Sequence, residues 1–270
     1  MTRRREHLAV LLVLVAVLAG CGGGGGAQAG GTPQQEVRIA AASDLKFALE
    51  ELQPLLDEQH PGVVMQTTYG SSGTFLQQLS NGAPFDVFLS ADLAYPQQLA
   101  DDGLAQQTDV FPYAVGRLVL WTPEGSEVDP SRGLDVLTDP GVRRVAVANP
   151  QHAPYGRAAV AALRSNQLYD QVQSKLVLGE SVSQAAEFVQ SGSADAGIVA
   201  MSLVLSDPLR DQGRWVEVPL TDFPQLLQGG VVLARAQDPA AARAVRDTLL
   251  SEPGRALLRR YGFSLPASAR

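Results

Sequence analysis

The sequence predicts an α/β protein with mainly parallel sheets, exported from the cell and tethered near its start. Three observations carry that expectation. Short β-rich runs alternate with helical patterns from residue 37 onward. A basic and then apolar leader ends at the only cysteine of the 270-residue chain. About 235 residues follow the leader and tether, enough for one large or two small domains.

The leader opens with Arg3-Arg4-Arg5, continues through an apolar run from Leu8 to Leu18 and ends at Leu18-Ala19-Gly20-Cys21. A basic start, a short apolar core and small residues before a cut make a secretory signal, and the core is too short to span a bilayer. Residues 1–20 are therefore expected to be removed. Leu-Ala-Gly-Cys resembles a bacterial lipobox, in which the cysteine becomes the acylated first residue. With Cys21 alone, no internal disulfide forms, so the folded part depends on its own core. Gly22 to Gly26 and the small, polar residues after them carry too little apolar surface to fold, so 21–36 reads as a flexible tether. The whole chain carries a net charge of −7, and without the net +2 of residues 1–20 it carries −9. An acidic chain argues against nucleic acid and against electrostatic binding to a membrane surface. A small anion is not excluded, because local dipoles decide that.

Past the tether, buried strands are expected at Val37 to Ala42, Val63 to Tyr69, Asp86 to Ser90, Leu118 to Trp121, Arg144 to Ala148, Leu176 to Leu178, Gly197 to Ala200 and Val231 to Ala234. Apolar residues at helical spacing lie between and after them. Leu45, Leu49, Leu52, Leu55 and Leu56 form the first such stripe; Val245, Leu249, Leu257 and Leu258 mark the last. No internal repeat is visible.

In such folds, ligands bind beyond the carboxyl ends of strands, where the next helix presents free backbone N–H groups. Ser43 in Ala40-Ala41-Ala42-Ser43-Asp44 stands at one such junction, placed to cap the helix or to bind there. Gly70-Ser71-Ser72-Gly73 is a second. Capping explains one serine at each site, yet two hydroxyl-bearing starts from consecutive units fit a shared oxyanion cradle better. Two further junctions follow: Asn149 to Arg157, which includes His152 and Tyr155, and Gly179 to Gln184, where Ser181 with Gln184 fits a capping box.

Other chemistries find less support. The three histidines are His7, His60 and His152, so no histidine pair has metal spacing, and a serine nucleophile at Ser71 or Ser72 lacks an evident base. Asp44 and Asp92 could bind a cation, but acidic residues at a helix start are ordinary, and they read better as helix-start and interlobe hydrogen-bonding groups. A structural or adhesive lipoprotein would need no converging strand ends.

From Val37 to Phe263 the chain resembles the periplasmic molybdate-binding proteins, the solute receptors of molybdate ABC importers. The resemblance is carried by Ala40-Ala41-Ala42-Ser43, Gly82 to Asp92, Asn149-Pro150 with His152 and Pro154, Gly197-Ile198-Val199, Glu252-Pro253-Gly254-Arg255, and Arg260-Tyr261-Gly262-Phe263, in order and spacing. It implies a two-lobe periplasmic-binding-protein fold of type II, with 37–115 plus 222–270 as one lobe, 116–221 as the other, and the ligand in the cleft between them. It implies no catalysis, no cofactor, and molybdate or tungstate held by neutral donors: the hydroxyls of Ser43 and Ser72 and the backbone amides of Tyr155 and Val182. Several relatives have a tyrosine where Ala200 stands here, so either the pocket manages with fewer donors or a nearby hydroxyl such as Ser202 substitutes. The only metal implied is that of the oxyanion. The resemblance further implies a monomer, held by the lipid on Cys21 at the outer face of the cell membrane or the periplasmic side. It would deliver its anion to a separate permease driven by an ATPase. A receptor of this fold for sulfate, phosphate or a metal ion is the alternative.

Overall fold

The computed structural model describes residues 34–266, so the signal segment, Cys21 and all but the last residues of the tether lie outside it. In chain order the elements are β1 (Gln35–Ala42), a single 3-10 turn (Ser43–Leu45) running into α1 (Lys46–Gln59), β2 (Val63–Gly70), α2 (Ser72–Ser80), β3 (Val87–Ser90), α3 (Ala94–Asp101) and β4 (Ala105–Gly116). Next come β5 (Leu118–Pro123), a 3-10 segment (Pro130–Thr138), β6 (Val145–Ala148), α4 (Pro154–Ser165), α5 (Tyr169–Val172), β7 (Leu176–Gly179), α6 (Val182–Gln190), β8 (Ala196–Ala200), α7 (Met201–Val204) and β9 (Gly213–Glu217). The chain closes with β10 (Leu226–Leu233), α8 (Pro239–Leu250) and α9 (Glu252–Arg260).

Two five-stranded sheets result, ordered β2-β1-β3-β10-β4 and β7-β6-β8-β5-β9. In each, three neighbouring strands pair in parallel and the other two pairings are antiparallel, because a single strand, β10 in the first and β5 in the second, runs against its neighbours. The sheets are therefore mixed, which corrects the expectation of mainly parallel sheets; the α/β class stands. The difference lies in the reversed direction of β10 and β5, and the sequence also conceals β4, β9 and the first half of β10 as strands. β4 and β9 are edge strands, so Pro112 and a run of polar residues cost β4 no ladder bond a neighbour needs. β10 contains Gly229-Gly230, which reads as a loop. A Cβ on Gly230 would stand 2.5 Å from the Phe111 ring, and one on Gly229 would stand 2.1 Å from Leu93, so close packing rather than a turn requires these glycines.

The inner strands of the first sheet are buried on both faces, which is why they read as continuous apolar runs. Ile39, Val87 and Leu89 face α1, α8 and α9 through Leu49, Leu52, Val245 and Leu258. Ala40 and Phe88 face the other way, against Phe75 and Leu79 of α2 and Leu99 of α3. The expected stripe of α1 is confirmed at Leu45, Leu49, Leu52 and Leu56, all buried, while Leu55 is only partly covered. Each such leucine contributes about 1.5–3 kcal/mol on burial. The second sheet forms one core of its own with Trp121, Val145, Val147, Leu163 and Ile198.

The chain passes between the sheets twice. Arg117 alone separates β4 from β5, and residues 218–225 lead from β9 back to β10. The strand ends that feed α1 and α2 in the first sheet, and α4 and α6 in the second, face one another across the junction.

Candidate functional site

Those strand ends converge on a small cavity lined by Ala42, Ser43, Asp44, Gly70, Ser71, Ser72, Ala91, Ala153, Pro154, Tyr155 and Val182. Ser43, Ser72, Tyr155 and Val182 are thus brought together. Ala200 and Ser202 are buried but do not line this cavity. Larger surface hollows lie elsewhere, one of them between α1 and α6 beside Lys46 and Phe47, without a comparable convergence of helix starts.

The local chemistry of each contributor follows from its position. Ser43 is the first residue of the 3-10 turn after β1, and Ser72 is the first residue of α2; neither helix start has a side-chain cap. The Ser43 hydroxyl accepts from the backbone N–H of Ser183 at 3.2 Å, and the Ser72 hydroxyl accepts from Ala91 N at 3.0 Å. Among the described residues neither hydroxyl proton is given to a protein acceptor, so each oxygen is already oriented and its proton remains to donate. Tyr155 is the second residue of α4 and Val182 the first of α6, so their backbone N–H groups have no partner within the helix. Three of the contributing helix starts direct their positive dipole ends here. The lining contains no lysine or arginine.

Several contacts hold the two sides of the cavity together. Ser183 Oγ donates to Ser43 O at 3.0 Å, and Ser202 Oγ donates to Asp44 O at 2.7 Å. Ser71 Oγ donates to His152 O at 2.6 Å, and Gly73 N donates to the same carbonyl at 2.9 Å. The His152 ring lies between Ser71 Oγ, 3.0 Å from Nδ1, and Glu180, 3.3 Å from Nε2. With the Ser71 proton already committed to a carbonyl, this group holds the two sides together and is not arranged as a nucleophile with its base. At the rim, Arg157 bonds Asp92 at 2.7 Å and the Tyr95 hydroxyl at 2.8 Å. That leaves Asp92 occupied rather than available to a cation, since its other oxygen accepts from Ala94 N.

The Tyr155 side chain does more than the sequence suggested. Its ring is buried, and its hydroxyl accepts from Gln228 Nε2 at 3.1 Å; the same amide donates to Asp44 Oδ2 at 2.6 Å. Burial pushes the Asp44 carboxyl up to about 6, with Gln228 and Tyr155 opposing the rise. Gly116 makes room for this group: a Cβ there would stand 2.4 Å from the Tyr155 hydroxyl and 2.7 Å from Gln228 Nε2. Sequence reasoning passed over Gln228 and Ser183. A lone glutamine between Leu226-Leu227 and Gly229-Gly230 is a signal that was available. Ser181 caps α6 as expected through Gln184 N at 3.3 Å, but the Gln184 side chain returns to Glu180 N at 2.6 Å instead of to Ser181.

Comparison with known proteins places the chain in a family. Residues 37–264 match the family model described as bacterial extracellular solute-binding protein. The molybdate-binding protein ModA of Rhodobacter capsulatus is 36% identical over 228 residues, covering 84% of this chain and 88% of its own. ModA of Azotobacter vinelandii is 36% identical over 230 residues, covering 85% and 90%. The solved structure of the Azotobacter vinelandii periplasmic molybdate-binding protein matches with a TM-score of 0.79 at 32% identity, covering 85% of this chain and 99% of that one. With a family model spanning nearly all of its described residues and relatives of this closeness, the chain belongs to the bacterial extracellular solute-binding proteins, alongside the molybdate-binding receptors.

Proposed function

We propose that this protein is the lipid-anchored receptor of an importer for molybdate and tungstate, binding the tetrahedral oxyanion in the cavity between the two sheets. The observation that carries the reading is the pair of serine hydroxyls, Ser43 and Ser72. Each is fixed by a backbone N–H it accepts and each keeps its proton, beside the uncapped starts of α2 and α4. Their hydroxyls and the amides of Tyr155 and Val182 are the proposed donors. Ala200 contributes no donor, and Ser202 acts through Asp44 O rather than by replacing the missing tyrosine hydroxyl.

Neutral donors suit a receptor that must reject other anions. A buried lysine or arginine would attract any dianion, whereas a fixed set of dipoles selects on radius. Molybdate and tungstate are nearly equal in size and are bound alike; sulfate is smaller and leaves donors out of reach. Residues 37–115 with 222–270 and residues 116–221 act as two lobes that close on the anion. Acylation at Cys21 holds the receptor at the outer face of the membrane, where a permease and its ATPase take over the cargo from the monomer.

Calorimetric titration of a chain starting near Gly31 with molybdate, tungstate, sulfate and phosphate tests this. Tight binding of the first two alone supports the reading; equal affinity for sulfate, or no binding of molybdate, overturns it.

A further inference from the structure

We propose that Asp44 is a proton-coupled member of the binding cavity: one proton is taken up from solvent as the oxyanion enters, so that the anion lies beside a neutral carboxylic acid. The inference rests on the oxyanion reading above. Asp44 lines the same cavity as Ser43 and Ser72 and is 1% exposed. Gln228 Nε2 occupies Oδ2, while Oδ1 has no hydrogen-bond partner although it is buried. A buried oxygen with an unused position is where a proton can be held.

The groups facing this carboxyl bring no positive charge. From α4 comes the Tyr155 hydroxyl, which accepts from Gln228 and favours the Asp44 carboxylate against burial without making a hydrogen bond of ordinary length to it. From β4 comes Tyr113, whose proton goes to Ser90 O at 2.9 Å. Burial and the Asp44 charge push both phenols well above their usual range, so neither ionises near neutral pH. Ser202 of α7 donates to the backbone carbonyl of Asp44 and leaves the carboxyl untouched. β10 supplies Gln228, an amide with no charge to give.

With its carboxyl at about 6, Asp44 is ionised at neutral pH but only by a small margin. A dianion brought into the same cavity disfavours the carboxylate further, as any like charge does. The balance is simple. Dianion, carboxylate and one proton enter; the complex contains the dianion and a carboxylic acid whose new O–H bond is on Oδ1, and no other bond changes.

Molybdate titrations of the full chain in two buffers of different ionisation enthalpy, at about pH 7.5, count the proton. We expect close to one proton taken up per anion, and an affinity that falls about tenfold per pH unit above neutrality, because the complex holds the extra proton. In Asp44→Asn both effects vanish, and at high pH the variant binds more tightly than the parent. Should that variant not fold, an infrared difference spectrum of the parent on molybdate addition shows a protonated carboxyl band appearing. Molybdate binding with equal heats in both buffers and a flat pH profile overturns the proposal, as does proton uptake that survives in Asp44→Asn. Absence of molybdate binding at every pH instead overturns the oxyanion reading on which it rests.

Discussion

Arg157 on α4 bonds Asp92, Nη2 to Oδ2 at 2.7 Å, joining the second sheet's helix to the loop after β3. The pair is partly exposed, with side chains 40% and 33% accessible. Such pairs contribute about 0.2–1 kcal/mol and are screened by salt. Arg157→Ala is therefore expected to weaken anion binding by less than about fivefold at low salt, with the difference fading in high salt; titrations at two ionic strengths check it.

Ser43→Ala and Ser72→Ala each remove one of the proposed donors to the anion, and each is expected to weaken molybdate binding by about 1–3 kcal/mol. Both hydroxyls also accept a backbone N–H, so each variant leaves that donor without its partner as well. A loss of about 1 kcal/mol in ligand-free stability should accompany the loss of affinity. Calorimetry paired with urea unfolding separates the two effects.

Gly73 packs against the His152 backbone so closely that a Cβ would stand 2.5 Å from its carbonyl oxygen. Gly73→Ala is expected to force the two sides apart at a cost of about 1–3 kcal/mol in stability, the usual range for overpacking, and to weaken binding. A titration of the variant with molybdate reads this directly; unchanged affinity would show that the contact can yield.

Asp86 accepts from Arg38 Nε at 3.1 Å, Arg38 Nη2 at 3.0 Å, Arg38 N at 2.8 Å and Gln237 N at 2.9 Å. Burial opposes ionisation, but the Arg38 guanidinium and the two backbone N–H groups outweigh it and hold the carboxyl below its usual range. Its stabilising contribution is present above the unfolded carboxyl value and is lost as pH falls through the lower folded one. Asp86→Ala is expected to cost about 3–5 kcal/mol at neutral pH and less in acid, as measured by urea unfolding at both.

Asp44 runs the other way. Its folded value of about 6 lies above the unfolded 3.8, so its contribution is full in acid and is lost as pH rises from about 4 through 6. The ligand-free protein is expected to lose roughly 2–3 kcal/mol from this group over that interval, and Asp44→Asn should melt higher than the parent at pH 7.

The sequence made the candidate site legible wherever a strand ended in small residues and a serine, because that pattern is local. Ser43 and Ser72 were found that way, while Tyr155 and Val182 came through resemblance and meet them in the same cavity. Asp92 was read as both a helix-start and an interlobe group, and its two oxygens do one each. What stayed hidden depends on contacts far apart in the chain. Gln228 meets Asp44 across 184 positions and Ser183 meets Ser43 across 140, and no spacing rule reaches that far. The edge strands β4 and β9 were missed for a related reason: with one neighbour each, they need neither continuous apolar character nor every backbone donor.

The two passages between the sheets run side by side, since β4 and β10 are neighbours in one sheet and β5 and β9 are neighbours in the other. Arg117, the single residue between β4 and β5, is clamped to Glu217 at the end of β9 by two parallel hydrogen bonds. A pair of adjacent straps riveted together bends easily across its width and resists both shear and twist. In the proposed closure, occupancy of the cavity would be expressed as a single angle, a one-dimensional gauge that the proposed permease could read without touching the cargo.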